Sequence, residues 1–83
     1  MARMLYFAWV RERIGCGEEA ISLPVDVTTV AKLMEHLSTL GENYADTLQE
    51  RNLRVAVNQN YSQPDDKVCD SDEVAIFPPV SGG

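Results

Sequence analysis

Apolar side chains crowd the start of the chain. Arg3-Met4-Leu5-Tyr6-Phe7-Ala8-Trp9-Val10 is almost wholly apolar and aromatic and shows no clean alternation. Such a run suits a central strand buried on both faces, or a strand with one face reserved for a partner. Val10 to Ile14 predicts one helical turn, ended by Gly15. Glu19-Ala20-Ile21-Ser22-Leu23 alternates and is bounded by Pro24, which predicts a second strand in a hairpin with the first. Val30, Leu33, Met34, Leu37 and Leu40 then recur at helical spacing and place one apolar stripe on a helix. Thr28 or Thr29 can cap its free N–H groups, and Gly41 supplies a stop. His36 shares this helix but lies off the stripe, so it reads as a solvent-facing residue.

Tyr44 to Glu50 predicts a short second helix or a turn. Leu53 to Asn58 is rich in β-formers, and Asn58-Gln59-Asn60 predicts a tight turn because Asn tolerates positive φ. Tyr61 opens a short extended segment. Val74 to Phe77 is the last strand, broken by Pro78-Pro79. The order predicts an α+β domain in which a mixed sheet packs on one main helix. That helix covers one sheet face, and no second helix is expected on the other. Phe7, Trp9 and Phe77 exceed what one thin core can use, so part of this set is expected to form an exposed apolar patch that binds a protein.

Length and charge narrow the function. At 83 residues the chain is one small domain with little room for a deep pocket. Its net charge of −6 argues against nucleic acid and against an anionic membrane surface. The acidity is concentrated after residue 17, where twelve acidic groups face four basic ones, which suits a basic protein partner. Asp65, Asp66, Asp70, Asp72 and Glu73 crowd the loops without an EF-hand pattern and read as a solvated turn face, with no metal site. Cys16 and Cys69 lie far apart, in neither a CxxC nor a metal-ligand spacing. With no signal peptide and no apolar run long enough to span a bilayer, the expected setting is the reducing cytoplasm, with two free thiols. No nucleophile–base pair or Gly-rich phosphate loop marks the chain as an enzyme on its own.

The end of the chain carries the sharpest signal. Pro78-Pro79-Val80-Ser81-Gly82-Gly83 divides the protein into a domain over residues 1–77 and an extended tail over 78–83. The prolines donate no hydrogen bonds and hold φ fixed, so they end the sheet and stiffen the exit. Gly82 and Gly83 lack Cβ atoms and can thread a channel too narrow for other residues. A terminal carboxylate there is suited to chemistry done to the tail: activation as an acyl-adenylate, then capture by a nitrogen or sulfur nucleophile.

Phe7-Ala8-Trp9-Val10-Arg11-Glu12, Val55-Ala56-Val57-Asn58-Gln59 and Asp72-Glu73-Val74-Ala75-Ile76-Phe77-Pro78-Pro79-Val80-Ser81-Gly82-Gly83 together resemble the family of molybdopterin synthase small subunits, MoaD. The resemblance implies a β-grasp, ubiquitin-like fold and a sulfur carrier for molybdenum cofactor biosynthesis. It implies that an E1-like adenylating enzyme, using ATP and Mg²⁺, activates Gly83, which then becomes a thiocarboxylate while the carrier itself binds no cofactor. It further implies a large synthase subunit as partner, in a heterotetramer of two small and two large subunits, with the sulfur passing to cyclic pyranopterin monophosphate to form the dithiolene. By the same resemblance Gly82 lets Gly83 reach the reaction centre. Pro78, Pro79, Val80 and Ser81 form the inserted tail, and Phe7, Arg11, Tyr61 and Phe77 match interface positions. The family's Asp-Gly-Asp turn is Asp70-Ser71-Asp72 here, and Tyr61 stands where an aliphatic residue is frequent. Other readings are a sulfur carrier for thiazole synthesis or tRNA thiolation, a ubiquitin-like protein modifier, or an adaptor with an idle tail.

Overall fold

The computed structural model describes residues 1–50 and 52–79. Strand β1 (Ala2–Tyr6) leads into helix α1 (Ala8–Ile14) and strand β2 (Glu18–Ile21). Helices α2 (Val30–Ser38) and α3 (Glu42–Leu48) follow, then β3 (Arg54–Val57), β4 (Asn60–Tyr61) and β5 (Glu73–Phe77). The five strands form one mixed sheet in the order β2-β1-β5-β3-β4. β1 and β5 are parallel neighbours at its centre, and the remaining pairs are antiparallel.

Alternation along the central strands fixes the two faces. Met4, Tyr6, Val74, Ile76 and Val55 point to the core, where they meet Val10, Ile14, Val30, Leu33 and Leu37 from the helices. Met4, Leu33, Leu37, Val74 and Ile76 are completely buried. Full burial of each such side chain is worth about 1.5–3 kcal/mol. The Thr29 hydroxyl caps α2 by accepting from Lys32 N at 3.3 Å.

Two expectations need correction. The first strand stops at Tyr6, and residues 8–14 form two helical turns where one was expected. Val10 and Ile14, four apart, are both buried while Arg11, Glu12 and Arg13 are exposed, so helical packing wins over the β-propensity of Trp and Val. The predicted stop does hold: Gly15 takes φ 101° and its N–H donates to Arg11 O. Second, α2 ends at Ser38 and Leu40 is 44% exposed, off the apolar face. The last turn closes through Ser38 and Thr39, whose hydroxyls donate to Met34 O and His36 O. Gly41 therefore opens α3 and does not stop α2. A Cβ there would lie 2.8 Å from Asn43 Oδ1, and Asn43 Nδ2 donates to Ile14 O at 2.7 Å, joining α3 to the end of α1. The mixed sheet does pack on α2 as its main helix through Val30, Leu33 and Leu37, and the shorter α1 and α3 lie beside it.

Candidate functional site

The sheet face turned away from the core holds the second set of alternate positions. Leu5, Ala75, Ala56 and Tyr61 form a row across β1, β5, β3 and β4, because each is the register partner of the next. Two alanines at the centre keep this floor shallow. Tyr61 is exposed and its ring lies 5.9 Å from that of Phe77, tilted by 49°. The rim is charged: Arg3 and Glu18 pair at 2.8 Å at one side, and Arg54 stands opposite Phe77 at the other. An apolar centre with a polar rim is the usual layout of a protein-binding surface.

At the end of this face the chain leaves the sheet. β1 and β5 are parallel, so their last residues lie side by side, and Phe7 N donates to Ile76 O at 3.2 Å. β3 is antiparallel to β5, so the segment before Arg54 reaches the same end. Pro78 and Pro79 therefore emerge between the start of α1 and the connection from α3 to β3. A depression of about 820 Å³ lies there, lined by Phe7, Ala8, Trp9, Glu50, Asn52, Leu53, Ala75, Phe77, Pro78 and Pro79. A second, of about 730 Å³, continues toward α2 and shares Glu50, Leu53, Phe77 and Pro79 with the first. Ala8 adopts φ +53° in this rim. A left-handed alanine costs roughly 1–2 kcal/mol, which surrounding structure must offset.

The residues singled out in the sequence separate into groups. Phe7, 49% exposed, and half-buried Phe77 share the first depression with Pro78 and Pro79, and Tyr61 leans on Phe77 from the adjoining one. Trp9 lines the first depression as well, half-buried on α1. Arg11 does not join them: its guanidinium lies over Gly17, where a Cβ would meet Nε at 3.2 Å. Val80, Ser81, Gly82 and Gly83 lie outside the described residues.

Other candidates have structural roles. Asp66, Asp70 and Asp72 accept the backbone N–H groups of Gln63, Leu23 and Cys69 at 2.7–2.8 Å, so these carboxylates fasten turns. The Leu23 N–H and the N-terminal ammonium at 3.2 Å hold the Asp70 carboxyl below its usual range. Among the described residues no group of three or more His, Cys, Asp or Glu side chains is placed to hold a metal ion. His36 is half-buried, above a shallow hollow beside Lys32, Glu35 and Asp26. No described helix is long and apolar enough to cross a membrane.

One constellation was not anticipated from the sequence. Glu19 on β2 accepts hydrogen bonds from Tyr6 Oη at 2.8 Å and from Tyr44 Oη at 2.7 Å, joining β1, β2 and α3. Burial and this carboxylate raise the Tyr6 phenol far above its usual range and push Tyr44 up to about 12. Cys16 packs half-buried beside them, and burial, then Glu19, raise its thiol. Cys16 therefore does not stand free on the surface, and a thiol held protonated is a poor nucleophile.

A five-stranded mixed sheet closed over helices on one face, with an open apolar face leading into a Pro-Pro exit, defines the β-grasp, ubiquitin-like class. Solved structures agree. SAMP1 from Haloferax volcanii superposes with a TM-score of 0.77 at 24% identity, covering 99% of this chain and 98% of its own, which speaks to the fold. A putative molybdopterin converting factor, subunit 1, from Pyrococcus furiosus gives 0.78 at 30% identity, over 95% and 97% of the two chains. Within that class the chain belongs to the ThiS family, which it matches over residues 4–83. It is similar to the molybdopterin synthase sulfur carrier subunit of Escherichia coli, with 40% identity over 83 residues and the full length of both chains.

Proposed function

We propose that this chain is the sulfur carrier subunit of a molybdopterin synthase, a non-catalytic part of a sulfur-transferring complex. The observation that carries this reading is the full-length likeness to the Escherichia coli sulfur carrier subunit, in a chain whose open apolar face runs into the Pro78-Pro79 exit. An E1-like enzyme in the cytoplasm, using ATP and Mg²⁺, joins the Gly83 carboxylate to AMP and releases pyrophosphate. A sulfide-equivalent nucleophile displaces AMP and leaves a thiocarboxylate. The large synthase subunit docks on the Phe7, Tyr61 and Phe77 face, two copies of each subunit forming the complex, and receives the tail through Pro78, Pro79, Val80 and Ser81. Gly82 adds no side chain where the tail is narrowest. The sulfur of Gly83 passes to cyclic pyranopterin monophosphate, and water returns the carboxylate.

Physical chemistry supports this division of labour. A thiocarboxylate is ionised and nucleophilic at neutral pH, so the carrier needs no base. Cationic groups that hold phosphate and a leaving oxygen belong on the partner, where they complement a carrier of net charge −6. The test is a transfer assay: thiocarboxylated chain, large subunit and pyranopterin precursor are combined and the dithiolene product is measured. Product formed in proportion to the carrier is the expected result. Thiocarboxylated carrier that yields none, while supporting thiazole synthesis or tRNA thiolation, would overturn the assignment.

A further inference from the structure

Gly82 and Gly83 carry no side chains, so the direction in which the tail leaves the domain is set at its root. That root lies between two walls of the first depression, the start of α1 and the segment after α3. One cation bridges them. The Arg13 guanidinium carbon sits 4.7 Å from the centroid of the Trp9 ring, and Arg13 Nη1 lies 3.6 Å from Glu50 Oε1. Trp9 and Arg13 are one helical turn apart on α1, while Glu50 follows α3. Trp9 and Glu50 both line the depression that Pro78 and Pro79 enter. Arg13 is absent from that lining, so it braces the indole from outside.

We infer that Trp9, braced by Arg13 and Glu50, is a positioning residue for the tail: the clamp fixes the mouth through which Pro78-Pro79 departs and so aims Gly83 at the partner's reaction centre. This rests on the carrier function proposed above. The clamp is built for aim more than for affinity. Arg13 and Glu50 are each about half exposed, at 53% and 51%, so the ion pair itself adds little stability. Its effect is to narrow the orientations open to the indole. The root, Pro78-Pro79, is where the direction is set, and misplacement of a reacting group by about 1 Å can cost on the order of a hundredfold in rate.

The test separates docking from delivery. Wild type, Trp9→Ala, Trp9→Phe and Arg13→Ala are thiocarboxylated, and single-turnover sulfur transfer is followed against large-subunit concentration. This yields a Kd and a maximal rate for each. Expected is a maximal rate lowered about tenfold in Trp9→Ala and about threefold in Arg13→Ala, with Kd changed less than threefold and Trp9→Phe close to wild type. If Trp9→Ala unfolds by circular dichroism, the exposed Arg13→Ala carries the test. An unchanged maximal rate, a loss confined to Kd, or a Trp9→Phe defect as large as that of Trp9→Ala would overturn the inference. Wild-type chain that transfers no sulfur would instead refute the carrier function.

Discussion

Replacing Glu19 by alanine should be the most damaging single polar change among the described residues. The carboxylate accepts two phenolic hydrogen bonds, from Tyr6 and Tyr44. Tyr6 is only 1% exposed, so its hydroxyl has no water to turn to, and an orphaned buried donor costs about 1–3 kcal/mol. Tyr44 is half-buried and can be rehydrated, which limits its share to about 0.5–1.5 kcal/mol. The sum is about 1.5–4.5 kcal/mol, against a stability on the order of 4–12 kcal/mol for a chain of this length. Midpoint temperature should fall by roughly 10–25 °C. Urea unfolding followed by circular dichroism, with Tyr6→Phe in a double-mutant cycle, measures this. With Tyr6→Phe in place, Glu19→Ala should cost less. A loss below about 0.5 kcal/mol, or simple additivity, would show that Glu19 does not hold the two phenols. The same cluster predicts alkaline sensitivity. The unfolded tyrosines ionise near 10.0, whereas folded Tyr44 resists until about 12 and Tyr6 beyond it. The unfolded chain therefore loses its phenolic protons first. The stabilisation is complete below pH 10 and is lost as pH rises through the folded values. Tyr44→Phe should lessen that slope.

Substitutions at the β3–β4 loop and on the docking face have measurable outcomes as well. Asn58 and Gln59 form a two-residue hairpin loop with φ of 50° and 70°, and Gln59 is exposed, so Gln59→Gly should stabilise the chain by about 0.5–1 kcal/mol in a urea titration; destabilisation would show that the left-handed backbone there is not strained. Phe77→Ala or Phe7→Ala should weaken large-subunit binding by more than about 1 kcal/mol in calorimetry, as for an aromatic anchor in an interface; unchanged affinity would remove that residue from the docking face.

Local signals made much of this architecture readable. The stripe on α2, the alternation in β2 and the Pro-Pro break after β5 each follow from a period or a breaker that needs no tertiary context. The start of α1 was hidden because Phe7-Ala8-Trp9-Val10 is apolar throughout, and a run of that kind carries no period until its packing partners are known. The inverted role of Gly41 has a similar cause: Ser38 and Thr39 close α2 with their own hydroxyls, which frees the glycine to begin α3. The gathering of Phe7, Trp9 and Phe77 around one surface depression could be anticipated as an excess of aromatics over core volume. The convergence of Tyr6, Glu19 and Tyr44 could not. Their separations of 13 and 25 positions become contacts only once β2 pairs with β1 and α3 packs beside them. Arg13 over Trp9 is an i, i+4 pair, invisible while residue 9 reads as strand.

If the chain is a sulfur carrier, Gly83 bears the sulfur as a thiocarboxylate. Intact mass spectrometry of the protein, made in cells together with its activating enzyme, tests this most directly. The expected mass gain equals exchanging one oxygen for one sulfur, mapped by fragmentation to Gly83 and absent when Gly83 is deleted. An unmodified terminus, or Gly83 found only in amide linkage to lysines of other proteins, would contradict it.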